Sequence, residues 1–375
     1  MKVGLISFHS FSGPGGVKSH LLGLSKEFEK KGIKTKIIVP RVHLNENYSK
    51  KVILLGTSIP VNLGGGMTDL VFNFAPGTIE TILIKEKFDI LHFHNASVPS
   101  FFQILISPLS FKSLNILTLH SDISRMKFLK KVPQIFELFV KFCNWRIDGA
   151  IAVSRVAFKA LKDFKKPKII IPNGIDLERF NPYQPKIKKL KDGKLNLLFV
   201  GRIEKRKGLI YLLRAFYFLR KKYQNLRLIV VGEGPEREKC ENFVKKYAIP
   251  DVVFLREIEK KLPSIYTSCD IFCAPSIFGE SFGIIILEAM ASRLPVVGFA
   301  NEGFKEILKG KKGEEFLVKI KDYRSLAKKI ELLIRNENLR DEMGRWGEKE
   351  AKKYSWEKIS EKILAFYRYC QKLKK

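Results

Sequence analysis

Val3-Gly4-Leu5-Ile6-Ser7-Phe8, then the amphipathic stretch Val17–Lys31, then Thr35-Lys36-Ile37-Ile38-Val39 decide the fold class. A short apolar run, a stretch with helical spacing and a second short run spell strand, crossover helix and parallel strand. Strands covered by helices on both faces read as near-continuous apolar segments of this kind. Working outward, Ile90–His94, Ile116–His120, Ala150–Ser154 and Lys168–Ile171 repeat the short runs. A loop from Asn181-Pro182-Tyr183-Gln184-Pro185 to Lys194 interrupts the pattern, which restarts at Leu197-Leu198-Phe199-Val200. It continues through Leu228–Val231, Val252–Leu255, Ile271–Ala274 and Pro295–Gly298, with helical stretches such as Tyr211–Tyr223 and Glu236–Tyr247 between, and turns almost wholly helical after Asn336. The expectation is an α/β chain with two doubly wound parallel sheets in tandem, facing across a cleft at the carboxyl ends of their strands, where ligands bind in such sheets.

The composition fits that expectation. The chain has 375 residues, 45% hydrophobic and 29% charged, with 26 Gly and 16 Pro, which is ordinary globular usage and excludes a disordered, collagenous or coiled-coil protein. Five cysteines, Cys143, Cys240, Cys269, Cys273 and Cys370, are scattered without a C-x-x-C pair, so neither a disulfide framework nor a structural zinc site is expected. Met1-Lys2 runs straight into the first strand, so no leader is expected and the chain is placed in the cytoplasm. The most apolar stretch, Val98–Leu119, is broken by Pro99, Pro108 and Lys112, short of a membrane span. Membrane contact is thus expected to be peripheral.

Lys and Arg total 69 against 38 Asp and Glu, a net charge of +31 spread over both halves of the chain. Such an excess draws polyanions, whether nucleic acid, anionic lipid or phosphorylated small molecules, or simply solvates the surface. A basic protein binding nucleic acid is the remote alternative: it would interleave basic residues with aromatics on one module, and recognised motifs such as the aromatic sheet of an RNA-recognition module are absent, so a nucleic-acid partner is not expected.

Three motifs carry chemistry. Ser12-Gly13-Pro14-Gly15-Gly16-Val17-Lys18-Ser19-His20 joins the first strand to a helix. Its glycines allow close backbone approach, and the helix N-terminus favours phosphate; the same turn could equally serve only to reverse the chain. Lys18 stands where a nicotinamide fingerprint would need its third glycine. Next, Arg202 and Lys207 in Gly201-Arg202-Ile203-Glu204-Lys205-Arg206-Lys207-Gly208 follow the first strand of the second half. They could grip one diphosphate, Arg by its planar fork and Lys as a point charge, or form a basic surface turn. Last, Gly279-Glu280-Ser281-Phe282-Gly283-Ile284-Ile285-Ile286-Leu287-Glu288 places Glu280 before a helix start and Glu288 about two turns inside it. Carboxylates in such a setting need hydrogen-bond donors, and sugar hydroxyls are suitable ones. The alternatives are a solvated charge at the helix dipole for Glu280 and an internal hydrogen bond for Glu288.

These motifs, in this order and together with Ile171-Pro172-Asn173-Gly174-Ile175-Asp176, resemble the family 4 retaining glycosyltransferases of the GT-B fold. The match covers nearly the whole chain. Gly13–His20, Phe88-Asp89-Ile90-Leu91-His92-Phe93-His94 and Gly279–Gly283 are most similar to phosphatidylinositol mannosyltransferases. The resemblance implies Rossmann-like domains at 1–180 for the acceptor and 181–350 for the nucleotide-sugar, with residues 351–375 a helix returning to the first. It implies that Arg202 and Lys207 bind the nucleotide diphosphate and that Glu288 holds the ribose. Glu280 with Phe282 and Gly283 would hold the donor sugar, Gly16 would meet it from the other domain, and His120 would stand beside the nascent bond. His9 and Lys18 depart from the inositol enzymes near the acceptor, whereas Asn62 matches an acceptor-loop asparagine.

The implied reaction moves a sugar, mannose from GDP-mannose by the overall resemblance, to an acceptor hydroxyl such as that of an inositol phospholipid. A UDP-sugar-dependent transferase acting on a soluble or cell-surface glycan is the alternative, and a nucleotide-sugar epimerase is a rival on the same architecture. No Asp-x-Asp occurs, so no metal and no other cofactor is expected. An anionic membrane surface is a further expected partner, because Ile123-Ser124-Arg125-Met126-Lys127-Phe128-Leu129-Lys130-Lys131-Val132-Pro133 mixes basic and apolar side chains directly after His120.

Overall fold

A computed structural model describes residues 1–13, 15–43, 45–63, 66–73, 75, 77–96, 99–121, 133–256 and 259–374. The chain divides into two compact units, Met1–Gly174 with Trp356–Lys375, and Ile175–Ser355. The sequence reading drew these divisions at 180 and 350. The shift has a local cause: the Ile175 amide donates to the Tyr354 carbonyl at 2.8 Å, and Phe180 packs edge-on against Tyr266 at 5.7 Å. The chain therefore enters and leaves the second unit side by side, several residues outside the expected limits.

In the first unit, β1 (Lys2–Ser7), β2 (Lys34–Arg41), β3 (Val52–Leu63), β4 (Gly66–Phe72), β5 (Ile90–His94), β6 (Leu114–Leu119), β7 (Gly149–Ala152) and β8 (Lys168–Ile170) form one sheet. Their order is β4-β3-β2-β1-β5-β6-β7-β8, parallel except for the antiparallel β3–β4 pair. That hairpin is absent from the sequence reading. β1 lies between β2 and β5, so the order reverses there, and the carboxyl edge of β1 and β5 is the switch point. Helix Gly16–Lys30 turns Leu21, Leu24 and Phe28 into the core at helical spacing. The last helix, Trp356–Lys374, buries Trp356, Ile359, Ile363, Tyr367 and Cys370 in the same cluster. Trp356 fits because two of its neighbours are glycines: a Cβ on Gly23 or Gly174 would lie 2.2 Å or 2.4 Å from the indole.

In the second unit, β9 (Leu195–Val200), β10 (Leu226–Val231), β11 (Val252–Leu255), β12 (Ile271–Ala274), β13 (Val296–Phe299) and β14 (Leu317–Val318) form a parallel sheet ordered β11-β10-β9-β12-β13-β14. Its switch point lies between β9 and β12, and both strands are almost fully buried. The cysteines are buried and free. Among the described residues, no helix is long and apolar enough to cross a membrane.

Candidate functional site

The second unit assembles its site where the chain leaves β9 and β12. After β9, Gly201 and Arg202 lead into the single turn Lys205–Lys207, which ends on Gly208 at φ 68°. A Cβ there would lie 2.1 Å from the Pro275 carbonyl oxygen, so only glycine lets this loop lie against the loop after β12. The Ile277 amide donates to the Arg206 carbonyl at 2.8 Å and joins the two loops. Lys207 then reaches Glu280: its ammonium forms a part-buried ion pair with Oε1, which also accepts from Ser276 Oγ at 3.2 Å and has Arg206 Nη1 at 3.6 Å. Burial pushes the Glu280 carboxyl up. The positive charges of Lys207 and Arg206 and the hydrogen bonds from Lys207 and Ser276 outweigh it, so the group is held below its ordinary range and stays ionised.

The structure thus joins Lys207 to Glu280, two residues that the sequence placed in separate motifs. Arg202 is set apart from that pair: it is about half exposed, with Nε 3.8 Å from Glu204 Oε2. Glu288 is the fifth residue of helix Ile284–Ala291, one turn in and not two, because the helix starts only after Gly283. It accepts from the Tyr266 hydroxyl at 2.8 Å, the internal hydrogen bond that the sequence left open. Phe282 buries its ring against Tyr354 at 6.0 Å. Arg206 as a partner of Glu280, Ser276 and Tyr266 went unassigned in the sequence. Ser276 had a signal, since it follows a strand end at the carboxyl edge.

In the first unit the glycine loop leaves room. A Cβ at Gly13, Gly15 or Gly16 would meet nothing within 4 Å, and the helix starting at Gly16 has no side-chain cap. Lys18 turns its ammonium back onto the Phe11 carbonyl at 3.0 Å. Asn62 stands on β3 opposite Met67, its side chain outside the described residues. The basic segment 123–132 also lies outside them.

His9, Asn95 and His120 each follow a strand end, of β1, β5 and β6. Asn95 ties the other two: Oδ1 accepts from the His120 amide at 2.9 Å, and Nδ2 lies 3.4 Å from His9 Nε2. The sequence reading missed Asn95, whose φ of 63° suits asparagine. Behind it sits a histidine cluster. His94 Nδ1 is 3.1 Å from His120 Nε2, and His20 Nδ1 is 2.9 Å from Asn173 Oδ1. His92 bridges Tyr367 Oη at 2.6 Å and Thr118 Oγ1 at 2.6 Å. Burial lowers all four, His20 to about 4 against the pull of Asn173, and mutual repulsion lowers His92, His94 and His120 further. They are neutral at pH 7. His20, His94 and His120 each bring a ring nitrogen within 4.8 Å of the others, the group among the described residues whose geometry could hold a metal ion. No carboxylate belongs to it.

Comparison with known proteins covers both units. Residues 14–179 match the Glycosyltransferase Family 4 domain and residues 181–350 match Glycosyl transferases group 1. Phosphatidyl-myo-inositol mannosyltransferase of Mycobacterium leprae is 28% identical over 98% of this chain and 96% of its own. The protein of that name from Propionibacterium freudenreichii is 29% identical over 98% and 94%. Among solved structures, sucrose-phosphate synthase from Thermosynechococcus elongatus superposes with a TM-score of 0.76 at 19% identity, covering 98% of each chain. Anabaena HepE in complex with UDP and glucose gives 0.77 at 18%, over 98% of this chain and 100% of that one.

Proposed function

We propose, from the premise that this chain belongs to the family 4 glycosyltransferases of the GT-B fold, that it moves mannose from GDP-mannose to an inositol phospholipid with retention at the anomeric carbon. The observation that carries this reading is the Lys207–Glu280 pair, beside Arg206 and Ser276 at the switch point of the second sheet. It occurs in a chain that aligns end to end with relatives named phosphatidyl-myo-inositol mannosyltransferase.

The chemistry follows from charge. Lys207 is held in place by Glu280 before any donor arrives, so it meets the diphosphate without ordering cost, and Arg202 is exposed enough to swing its fork onto a phosphate. As the bond from the anomeric carbon to the phosphate oxygen breaks, these cations take up the charge developing on the leaving group. The bond to the acceptor oxygen forms on the same face, and the acceptor proton passes to the departing phosphate. Glu280, ionised and facing the sugar with the Phe282–Gly283 backbone, accepts hydroxyl hydrogen bonds, while Glu288 and Tyr266 serve the ribose. In the first unit Gly16 and His120 serve the transferring sugar, with His9, Lys18 and Asn62 on the acceptor side. With no Asp-x-Asp in the chain, the basic residues take the place of a cation on the diphosphate.

A second reading keeps the family and changes the substrates: a UDP-sugar and a soluble or cell-surface glycan. It is favoured by the UDP and glucose named with HepE. One screen separates the two. GDP- and UDP-sugars are offered with phosphatidylinositol liposomes, and transfer is followed by mass in buffer with and without excess EDTA. Transfer from GDP-mannose that persists in EDTA is expected; activity with UDP-sugars alone overturns the mannosyl reading, and a loss restored by magnesium overturns the metal-free one.

A further inference from the structure

His94 is fully buried at the end of β5, out of reach of any substrate, yet its Nδ1 lies 3.1 Å from Nε2 of His120. One of these two nitrogens carries the proton. The choice is decided by the other nitrogen of His94, because Nε2 is buried and has no hydrogen-bond partner. A neutral imidazole has one donor and one acceptor. A proton on Nε2 would be a buried N–H with nothing to accept it, an arrangement that folded proteins almost never keep. Left bare, Nε2 gives up only an acceptor. The proton therefore sits on His94 Nδ1 and is donated to His120 Nε2.

We propose that His94 is a positioning residue that holds His120 in the Nδ1–H tautomer, so that His120 offers the reaction a hydrogen-bond donor and not a base. The proposal rests on the reading that places His120 beside the transferring sugar. His120 is only partly buried and its Nδ1 is not among the orphaned buried atoms, so this N–H is the ring's free-facing group. The Asn95 side chain pins the His120 backbone at the same point, so both the peptide and the ring of His120 are fixed from β5 and its exit. The groups packed around His94 keep the ring neutral: His92 with its centroid at 4.2 Å, His20 at 5.0 Å and His120 at 5.4 Å are all imidazoles, with no carboxylate among them. His92 is in turn committed to Tyr367 and Thr118. An N–H donor can bond a sugar hydroxyl oxygen and fix the orientation of the ring, whereas a bare nitrogen at that point could only accept from a hydroxyl.

The test uses the full chain labelled with 15N-histidine, whose six histidines are read by long-range proton–nitrogen correlation at pH 7.5. Both His94 and His120 are expected as Nδ1–H tautomers. His94→Asn keeps an N–H donor near the place of Nδ1, and His94→Phe keeps ring volume without a donor. Expected is that His94→Asn holds His120 as Nδ1–H with kcat near the parent. His94→Phe should release the tautomer and lower kcat roughly tenfold to a hundredfold, the size seen when a partner orienting a functional imidazole is lost, with donor KM little changed. A packing role predicts the reverse order, Phe above Asn. His120 found as Nε2–H in the parent, equal tautomers in the two variants, or a stoichiometric metal on His94 and His120 each overturns the proposal. If His120→Ala keeps full activity, the placement of His120 fails instead, and the nitrogen spectra still decide the tautomer.

Discussion

The two units answer one problem, keeping polar groups ready at the carboxyl edge of a buried sheet, in opposite ways. In the second unit the polar groups are charged and paired, Lys207 with Glu280 and Arg206 with Glu204 at 2.5 Å. In the first they are neutral and linked ring to ring, His20, His92, His94 and His120, with Asn95, Asn173, Thr118 and Tyr367 as partners. The difference is one of burial cost: a cation out of water is tolerable where a carboxylate holds it, and neutral rings cost less to bury. On the function proposed above, the cations would meet a diphosphate and the neutral rings would stand near a sugar.

Removing one partner from the charged site breaks the comparison hardest. Lys207→Ala should abolish transfer, a loss of roughly 2–4 kcal/mol in the transition state, and should also lower the melting temperature by leaving Glu280 with only Arg206 at 3.6 Å and Ser276. Lys207→Ala with Glu280→Gln should regain much of the melting temperature and none of the activity. Arg202→Ala, removing a half-exposed side chain, should lose transfer and keep its melting temperature. Wild-type turnover in any of these folded variants would remove the second-unit assignment.

Acid sharpens the contrast. A histidine whose folded pKa is lowered binds fewer protons folded than unfolded, so its stability contribution is complete above the unfolded pKa near 6.5 and is lost as pH falls towards the folded value. For His20, lowered to about 4, the loss at pH 5.5 is on the order of 1 kcal/mol. Carboxylates of the second unit held low by cations, Asp251 by Lys194 and Arg220 and Glu331 by Lys222, keep their contribution above their ordinary values and lose it only as pH falls below them. Limited proteolysis read by peptide mass at pH 7.5 and 5.5 should show the first unit opening before the second. Equal opening would mean that the histidines are not neutral in the folded chain.

The smallest effect per residue is at a membrane. Each cation of the segment 123–133 should contribute about 1 kcal/mol towards an anionic surface. Co-sedimentation with anionic liposomes should weaken with salt and fall when Arg125, Lys127, Lys130 and Lys131 are changed to Gln. Binding unchanged in that variant would exclude this segment as the docking site, and a parent that ignores anionic liposomes would favour a soluble acceptor.

Both sheets were legible because a strand covered on both faces has to be apolar at nearly every position, and Val3–Phe8 and Leu197–Val200 advertise that locally. The β3–β4 hairpin escaped because Gly56 and Pro60 interrupt its first strand, although Gly64-Gly65 between alternating runs is the hairpin's own signal. Arg202, Lys207, Glu280 and Glu288 were legible as residue types at strand and helix ends. What each one bonds to was not, since the partner of Lys207 lies 73 residues away and that of Glu288 22.

The sequence by itself determined the alternation of strand and helix, the two glycine-marked strand exits and the excess of positive charge, because each is a property of neighbours along the chain. Tertiary structure alone decided which charges are neutralised and which rings stay neutral. His92 meets Tyr367 across 275 residues and His20 meets Asn173 across 153. Desolvation, the largest cause of the lowered histidine pKa values, depends on what the whole fold packs around a ring and on nothing written beside it.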